Sequence, residues 1–246
     1  MPTTNAETYF ARSVKAFQKD DLDKSLKLNN QAIDADPQFV EAYFFRGTLY
    51  IELALFEAAV GDFDKALKLG WKNEDLFLQR AHAYFSLESY KKAIADCSKV
   101  IKLNPSNAES YHLRGSAYNA IDNHLKALED LTKAITLNPN NYLYFLSRAS
   151  VYMIDNQIQN GLADLNKVIE MEPDLALAYY SRGRIYEDLG EEAKAEADFQ
   201  TAEELGFDID DFEEGLLDDD DDWDDDEDWD DDDWDDAEWE EEDDKK

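Results

Sequence analysis

The chain has 246 residues, 24 of them Lys or Arg and 59 Asp or Glu, for a formal charge of −35. The excess is uneven, because Asp208 to Lys246 alone holds 27 acids and two bases. Such a charge excludes direct binding to DNA, RNA or anionic lipid, since phosphates recruit clusters of Lys and Arg, and it favours a basic protein as partner.

With 43 % hydrophobic residues, the mildly acidic body before this tail is long enough to bury a core. No apolar run approaches the roughly 18 residues of a membrane span, and Met1-Pro2-Thr3-Thr4 lacks the basic and apolar parts of a signal peptide. The single Cys97 excludes an intramolecular disulfide. A cytoplasmic location is the expectation, with the nucleus left open.

After an extension of residues 1–5, a period of 34 organises the chain. Asp36-Pro37, Asn104-Pro105, Asn138-Pro139 and Glu172-Pro173 end similar segments at separations of 68, 34 and 34. They phase six repeats at 6–39, 40–73, 74–107, 108–141, 142–175 and 176–209. An aromatic column runs Tyr9, Tyr43, Phe77, Tyr111, Phe145 and Tyr179. A column of small residues runs Ser13, Gly47, Ala81, Gly115, Ala149 and Gly183. A second small column, Ser25, Ala59, Ala93, Ala127, Gly161 and Ala195, belongs to the second half of each repeat. Spacings of three, four and seven predict two amphipathic helices per repeat, the second stopped by Pro or by Gly70 and Gly206. A single helical hairpin cannot bury its faces, and stacking solves that problem.

In repeat four, Tyr111, Leu113-Arg114-Gly115, Tyr118, Ala127, Ala134 and Pro139 resemble the tetratricopeptide repeat motif, and the resemblance covers about residues 6 to 209. It implies an all-α, right-handed α-solenoid of six helix-turn-helix hairpins that binds proteins or peptides and is not an enzyme. Repeats two and six depart from it in ending Leu69-Gly70-Trp71 and Leu205-Gly206-Phe207. Glu196 and Glu203 replace apolar residues, so the sixth hairpin reads as a wettable end. Residues 210–217, with Phe212, Leu216 and Leu217, are suited to lie across that end.

Little in the sequence supports catalysis, a metal or a cofactor. There is no glycine-rich phosphate loop, nucleophile elbow or His-x-x-x-His pair. His82 and His112 fall on first helices of adjacent hairpins without a third ligand, and His124 near the start of a second helix. Cys97 stands where other repeats place Phe63, Leu131, Leu165 and Phe199, and reads as a buried hydrophobe. The column Arg46, Arg80, Arg114, Arg148 and Arg182 is followed sixteen residues later by Asp62, Asp96, Asp130, Asp164 and Asp198. This co-occurrence predicts ion pairs between helix layers. In repeat one, Arg12 meets Leu28.

The resemblance assigns to a concave groove Phe10, Val14 and Phe17, then Phe44, Thr48 and Ile51, then Leu78, His82 and Phe85. His112, Ser116 and Asn119 follow, then Leu146, Ser150 and Met153, with Tyr180 and Arg184 last. The aromatic amino-terminal half is the expected anchor, centred on Phe10, Phe17, Phe44, Ile51, Leu78, His82, Phe85, His112 and Asn119. Places that hold a two-carboxylate clamp in chaperone-tail readers carry Phe10, Val14, Phe45, Asp75 and Gln79 instead.

Residues 218–246 place Trp223, Trp229, Trp234 and Trp239 at steps of six, five and five, which fit neither helix nor strand. High like charge predicts a tail that is disordered when free. Its Trp residues give it a sticker character for a basic protein. An adaptor with a groove and a capturing tail is the leading expectation. The alternative is a nucleic-acid mimic that shields a basic nucleic-acid-binding protein. Segments such as Asp222-Trp223-Asp224-Asp225 also resemble cargo peptides of kinesin light chains, so the tail is a candidate regulator of the groove. Lys65, Lys99, Lys133 and Lys167 form a row on successive second helices.

Overall fold

Five of the six repeat starts read from the sequence are helix starts in the computed structural model, which describes residues 5–208. The first hairpin pairs α1 (Asn5–Phe17) with α2 (Leu22–Ala35), the second α3 (Val40–Glu52) with α4 (Phe56–Lys68). The third and fourth pair α5 (Glu74–Ser86) with α6 (Tyr90–Leu103), and α7 (Ala108–Ala120) with α8 (His124–Leu137). The last two pair α9 (Tyr142–Ile154) with α10 (Ile158–Met171), and α11 (Ala176–Asp188) with α12 (Glu192–Glu204). Among the described residues there is no strand, and the hairpins stack in chain order as a helical solenoid. The segment 210–217 and the tail lie outside the described residues.

Each hairpin closes through one left-handed residue. Asp20, Ala54, Glu88, Asp122 and Asn156 take positive φ of 55–60° or, at Ala54, 54°, and Gly190 takes 68°. The following amide bonds back across the turn, as in Leu55 N to Tyr50 O at 2.8 Å and Asn123 N to Tyr118 O at 2.8 Å. These bonds satisfy carbonyls that the helix end would otherwise strand.

Between hairpins the chain uses two different turns. At Asp36, Asn104 and Asn138 the side chain accepts from the amide two residues on, at 2.9, 3.2 and 3.3 Å, and the intervening Pro prevents the helix from continuing. At Gly70 and Gly206, φ is +94° and +89°, and Trp71 N and Phe207 N bond back to Ala66 O and Ala202 O. This turn lays an aromatic ring over the preceding first helix. Trp71 stacks on Phe44 with centroids 5.8 Å apart, and Phe207 lies 4.8 Å from Tyr180.

Small residues let the two helices of a hairpin cross closely. A Cβ at Gly47 would lie 2.5 Å from the Phe63 ring. In repeat one, Ser13 and Ser25 occupy the crossing, and each hydroxyl donates to the other's carbonyl at 2.7 and 3.0 Å. Behind the crossing, Phe63, Cys97, Leu131 and Leu165 are fully buried. Burial pushes the Cys97 thiol up to about 12, which makes it a poor nucleophile, as its column predicts. Glu196 and Glu203 are exposed on α12, where a further repeat would have required apolar residues.

All five expected Arg–Asp pairs form. Arg114 donates through Nε and an Nη to the two oxygens of Asp130 at 2.7 and 2.9 Å. The forks at Arg46, Arg80, Arg148 and Arg182 have distances of 2.6–2.8 Å. The remaining Nη reaches back sixteen residues to the preceding hairpin. Arg46 meets Asn30, Arg80 Asp64, Arg114 Ser98, Arg148 Thr132 and Arg182 Asn166. Each guanidinium thus ties its own first helix to two second helices. Rings flank it along its helix, as Tyr43 and Tyr50 do at 5.7 and 5.8 Å from Arg46. At Arg114, burial pulls the guanidinium pKa down and the Asp130 hydrogen bonds overcome it, leaving it above its ordinary value.

Two stability predictions follow from these contacts. Replacing Arg114 with Ala strands the Asp130 carboxylate, which is 7 % exposed, and lowers stability by about 3 kcal/mol in a denaturant titration. Adding Asp130→Ala recovers part of that loss, whereas full additivity of the two losses would contradict the pairing. Ala54→Gly relieves a left-handed alanine and raises stability by about 0.5–1 kcal/mol, and Gly190→Ala has the opposite sign.

Candidate functional site

Residues spaced four and then three apart on the first helices share one face. At the amino-terminal end, that face is used for packing. Phe10 meets Phe39 and Phe45 edge-on at 5.2 and 5.6 Å, and Phe17 meets Phe45 at 5.7 Å. Phe44 is covered by Trp71, Ile51 packs against the same core, and Leu78 is only 8 % exposed. Phe10, Phe17, Phe44, Ile51 and Leu78, expected as a partner anchor, thus make packing contacts within the stack, while Phe10, Phe17, Phe44 and Ile51 stay partly exposed. Phe10 and Phe17 of the first hairpin join Phe39 and Phe45 of the next segment.

The middle of the face is polar. His82 Nε2 donates to Glu109 Oε1 at 2.8 Å, joining α5 to α7. This hydrogen bond holds the Glu109 carboxyl below its ordinary range. His112 Nε2 pairs with Ser147 Oγ at 2.9 Å, and its ring centre lies 4.8 Å from that of Tyr144. Burial is the main reason its imidazole titrates below the usual histidine value. Asn119 Oδ1 accepts from His124 Nδ1 at 3.2 Å. Among the described residues, no three His, Cys, Asp or Glu side chains are grouped to hold a metal ion.

An open hollow of about 520 Å³ lies further along, between repeats three and six. Phe85, Ser116, Asn119, Leu146, Ser150 and Met153 line it, all of them residues assigned to the groove from sequence. Leu131 and Leu165 of the second helices contribute to its floor, and no ionisable side chain lines it. Ser147, Leu177 and Ser181 were not anticipated. A signal for Leu177 was present, since Glu7, Glu41, Asp75 and Glu109 hold the matching place in repeats one to four and Leu143 and Leu177 break that acidic column. Leu143 and Ile154 are 43 % and 58 % exposed. The first-helix face therefore changes character along the stack, from packed aromatics, through a His–Glu link, to an uncharged hollow rimmed by hydroxyls. Trp223, Trp229, Trp234 and Trp239 lie outside the described residues.

Known proteins agree with this architecture. The tetratricopeptide repeat family matches residues 6–74, 75–107, 108–141 and 176–205. The tetratricopeptide protein YrrB, described as having an unusual peptide-binding site, is 23 % identical, covering 72 % of this chain and 91 % of its own, with a TM-score of 0.64. MamA from Desulfovibrio magneticus RS-1 is 21 % identical over 71 % of this chain and 99 % of its own, with a TM-score of 0.67. The Pseudomonas aeruginosa protein pilF is 13 % identical over 87 % of this chain and 97 % of its own, with a TM-score of 0.70. At these identities the likeness is one of fold. The UDP-N-acetylglucosamine–peptide N-acetylglucosaminyltransferase of Giardia intestinalis is 39 % identical over 59 residues, 24 % of this chain, and the chain spans 4 % of that protein's length. That match falls within repeats and says nothing of catalysis here. Six hairpins in 34-residue register, the arginine column that joins them and family matches over residues 6–141 and 176–205 together place this chain in the tetratricopeptide repeat family.

Proposed function

We propose that this protein is a non-enzymatic adaptor whose first-helix face holds a peptide segment of a partner protein, seated at the hollow between repeats three and six. The observation that carries this reading is the hollow itself, apolar at its floor and lined with Ser116, Asn119, Ser147, Ser150 and Ser181. An apolar side chain fits such a floor, while hydroxyls and an amide serve the ligand's backbone without imposing a charge. Phe85 and Asn119 line the hollow, and His82 and His112 stand beside it on α5 and α7. Phe10, Phe17, Phe44, Ile51 and Leu78 support the stack and act on the ligand only through it. A terminal carboxylate is a poor ligand, because Asp75 and Gln79 occupy clamp places and no cation lines the hollow. The description of YrrB favours a peptide ligand on this fold.

The second half of the proposal concerns residues 218–246. Their charge and their four Trp residues suit capture of a basic protein, with carboxylates steering and indoles anchoring. A nucleic-acid mimic remains the second reading, favoured by the same alternation of acids and rings. A cytoplasmic setting fits a chain whose lone Cys97 is buried and whose described helices include none long and apolar enough to cross a membrane.

Partner capture from lysate by the full chain tests both halves. Ser150 is exposed, so Ser150→Arg preserves the fold while placing a charge in the hollow. It is expected to weaken one set of partners about tenfold, a change of about 1.4 kcal/mol. Replacing Trp223, Trp229, Trp234 and Trp239 by Ala is expected to release a second, basic set. If Ser150→Arg leaves every partner bound, the groove reading fails. Displacement of the basic set by added DNA would favour the mimic.

A further inference from the structure

Successive hairpins meet through a fixed set of places. Val151 and Ile185, on first helices, are buried against Leu131 and Leu165 of the second helix before, with Leu128 and Leu162 packed alongside. Beside them, Arg148 and Arg182 reach back to Thr132 and Asn166 of that same helix. Counted by the 34-residue period, Lys15 on α1 stands where Val151 and Ile185 do, and Arg12 where Arg148 and Arg182 do. On α12, Glu196 stands where Leu128 and Leu162 do, Phe199 where Leu131 and Leu165 do, and Gln200 where Thr132 and Asn166 do. Arg12, Lys15, Glu196 and Gln200 are exposed, and Phe199, unlike its fully buried counterparts, is half-buried. An open hollow of about 550 Å³ surrounds Phe199 and is lined also by Glu187, Glu192 and Glu203. The face of α1 that repeats the hairpin contact is therefore cationic, and the matching face of α12 is anionic.

We propose that these faces are the two halves of a contact between copies of this chain, with α1 of one copy stacked on α12 of another in the register of successive hairpins. Charge complementarity is the first argument. Where the stack pairs Leu162 with Ile185, the two faces offer Glu196 and Lys15. A wettable end needs only polar residues, whereas opposite signs at partner places also let the two ends attract. The second argument is the apolar surface. A lysine stem lies readily along a ring while its ammonium turns outward, so Lys15 can cover Phe199 and still reach Glu196. Register is the third. Arg12 has Leu28 in the place of an aspartate, and a copy stacked in register brings it Gln200, to which Glu204 is hydrogen-bonded at 2.9 Å. Such a contact is head-to-tail, so it does not stop at two copies. It uses neither the first-helix face nor the hollow between repeats three and six, and it stands apart from the peptide reading.

Sedimentation equilibrium of the full chain over a range of concentrations tests the inference. At about 0.1 M salt the screening length is about 10 Å, so charge elsewhere on each chain is damped while pairs inside the contact are not. The native mass should rise with concentration beyond that of two chains. Arg12→Glu with Lys15→Glu, and separately Glu196→Lys with Glu203→Lys, should each lower the association constant at least about tenfold. All four positions are exposed, and circular dichroism checks that both variants stay folded. Mixed together, the two variants should associate again, because each end of one then meets the opposite charge on the other. Lys68→Glu with Lys102→Glu changes net charge as much as the α1 variant does, at exposed places away from both ends, and should associate like the native chain. A native chain with the mass of one copy at every concentration would overturn the inference, as would native-strength association of either variant alone or a mixture that stays dissociated. Ser150→Arg does not enter this measurement, so the groove reading stands or falls separately.

Discussion

A solenoid has no single core, so its continuity depends on what passes from one hairpin to the next. Here the arginine at the seventh place of each first helix performs that task. Its fork closes on an aspartate within its own hairpin, and its third nitrogen reaches the second helix of the hairpin before. One side chain therefore fixes both the crossing within a repeat and the step between repeats. In repeat one, Leu28 stands where the aspartate would be, with the serine pair Ser13 and Ser25 at its crossing instead. The column is structural, and it leaves the other side of the first helices to carry different residues from repeat to repeat.

Much of this was legible because it repeats with one chemistry. The spacing of Asp36-Pro37, Asn104-Pro105, Asn138-Pro139 and Glu172-Pro173 phased the repeat starts from Val40 to Ala176, and the Arg and Asp columns within that frame gave the pairs at a separation of sixteen. The backward partners were harder to see, since Asn30, Asp64, Ser98, Thr132 and Asn166 share hydrogen-bonding capacity and no single residue type. The left-handed turn residues Asp20, Ala54, Glu88, Asp122, Asn156 and Gly190 were hidden for a similar reason, because tertiary stacking overrides local preference there. The site was only partly legible. The resemblance set Phe85, Ser116, Asn119, Leu146, Ser150 and Met153 on one face, and they line one hollow, but it could not tell an open ring from a covered one. Phe44 is covered because the turn at Gly70 brings Trp71 over it, a contact made by a different stretch of chain.

The stack divides charge between its faces. Acids stand at the start of the first helices in repeats one to four, and leucines take over beside the hollow. Lysines gather on the outer face of α6, while α12 is acidic. On the first-helix face this leaves the hollow uncharged, which suits the apolar anchoring and backbone hydrogen bonds proposed above.

The central claim is that ligand binding belongs to the first-helix face at repeats three to six. Hydrogen–deuterium exchange of the full chain, alone and with a partner captured by it, tests that claim most directly. The account predicts added protection on α7, α9 and α11 around Ser116, Ser150 and Ser181, with the second helices little changed. Protection confined to α4, α6 and α8, or to the amino-terminal hairpin, would contradict it.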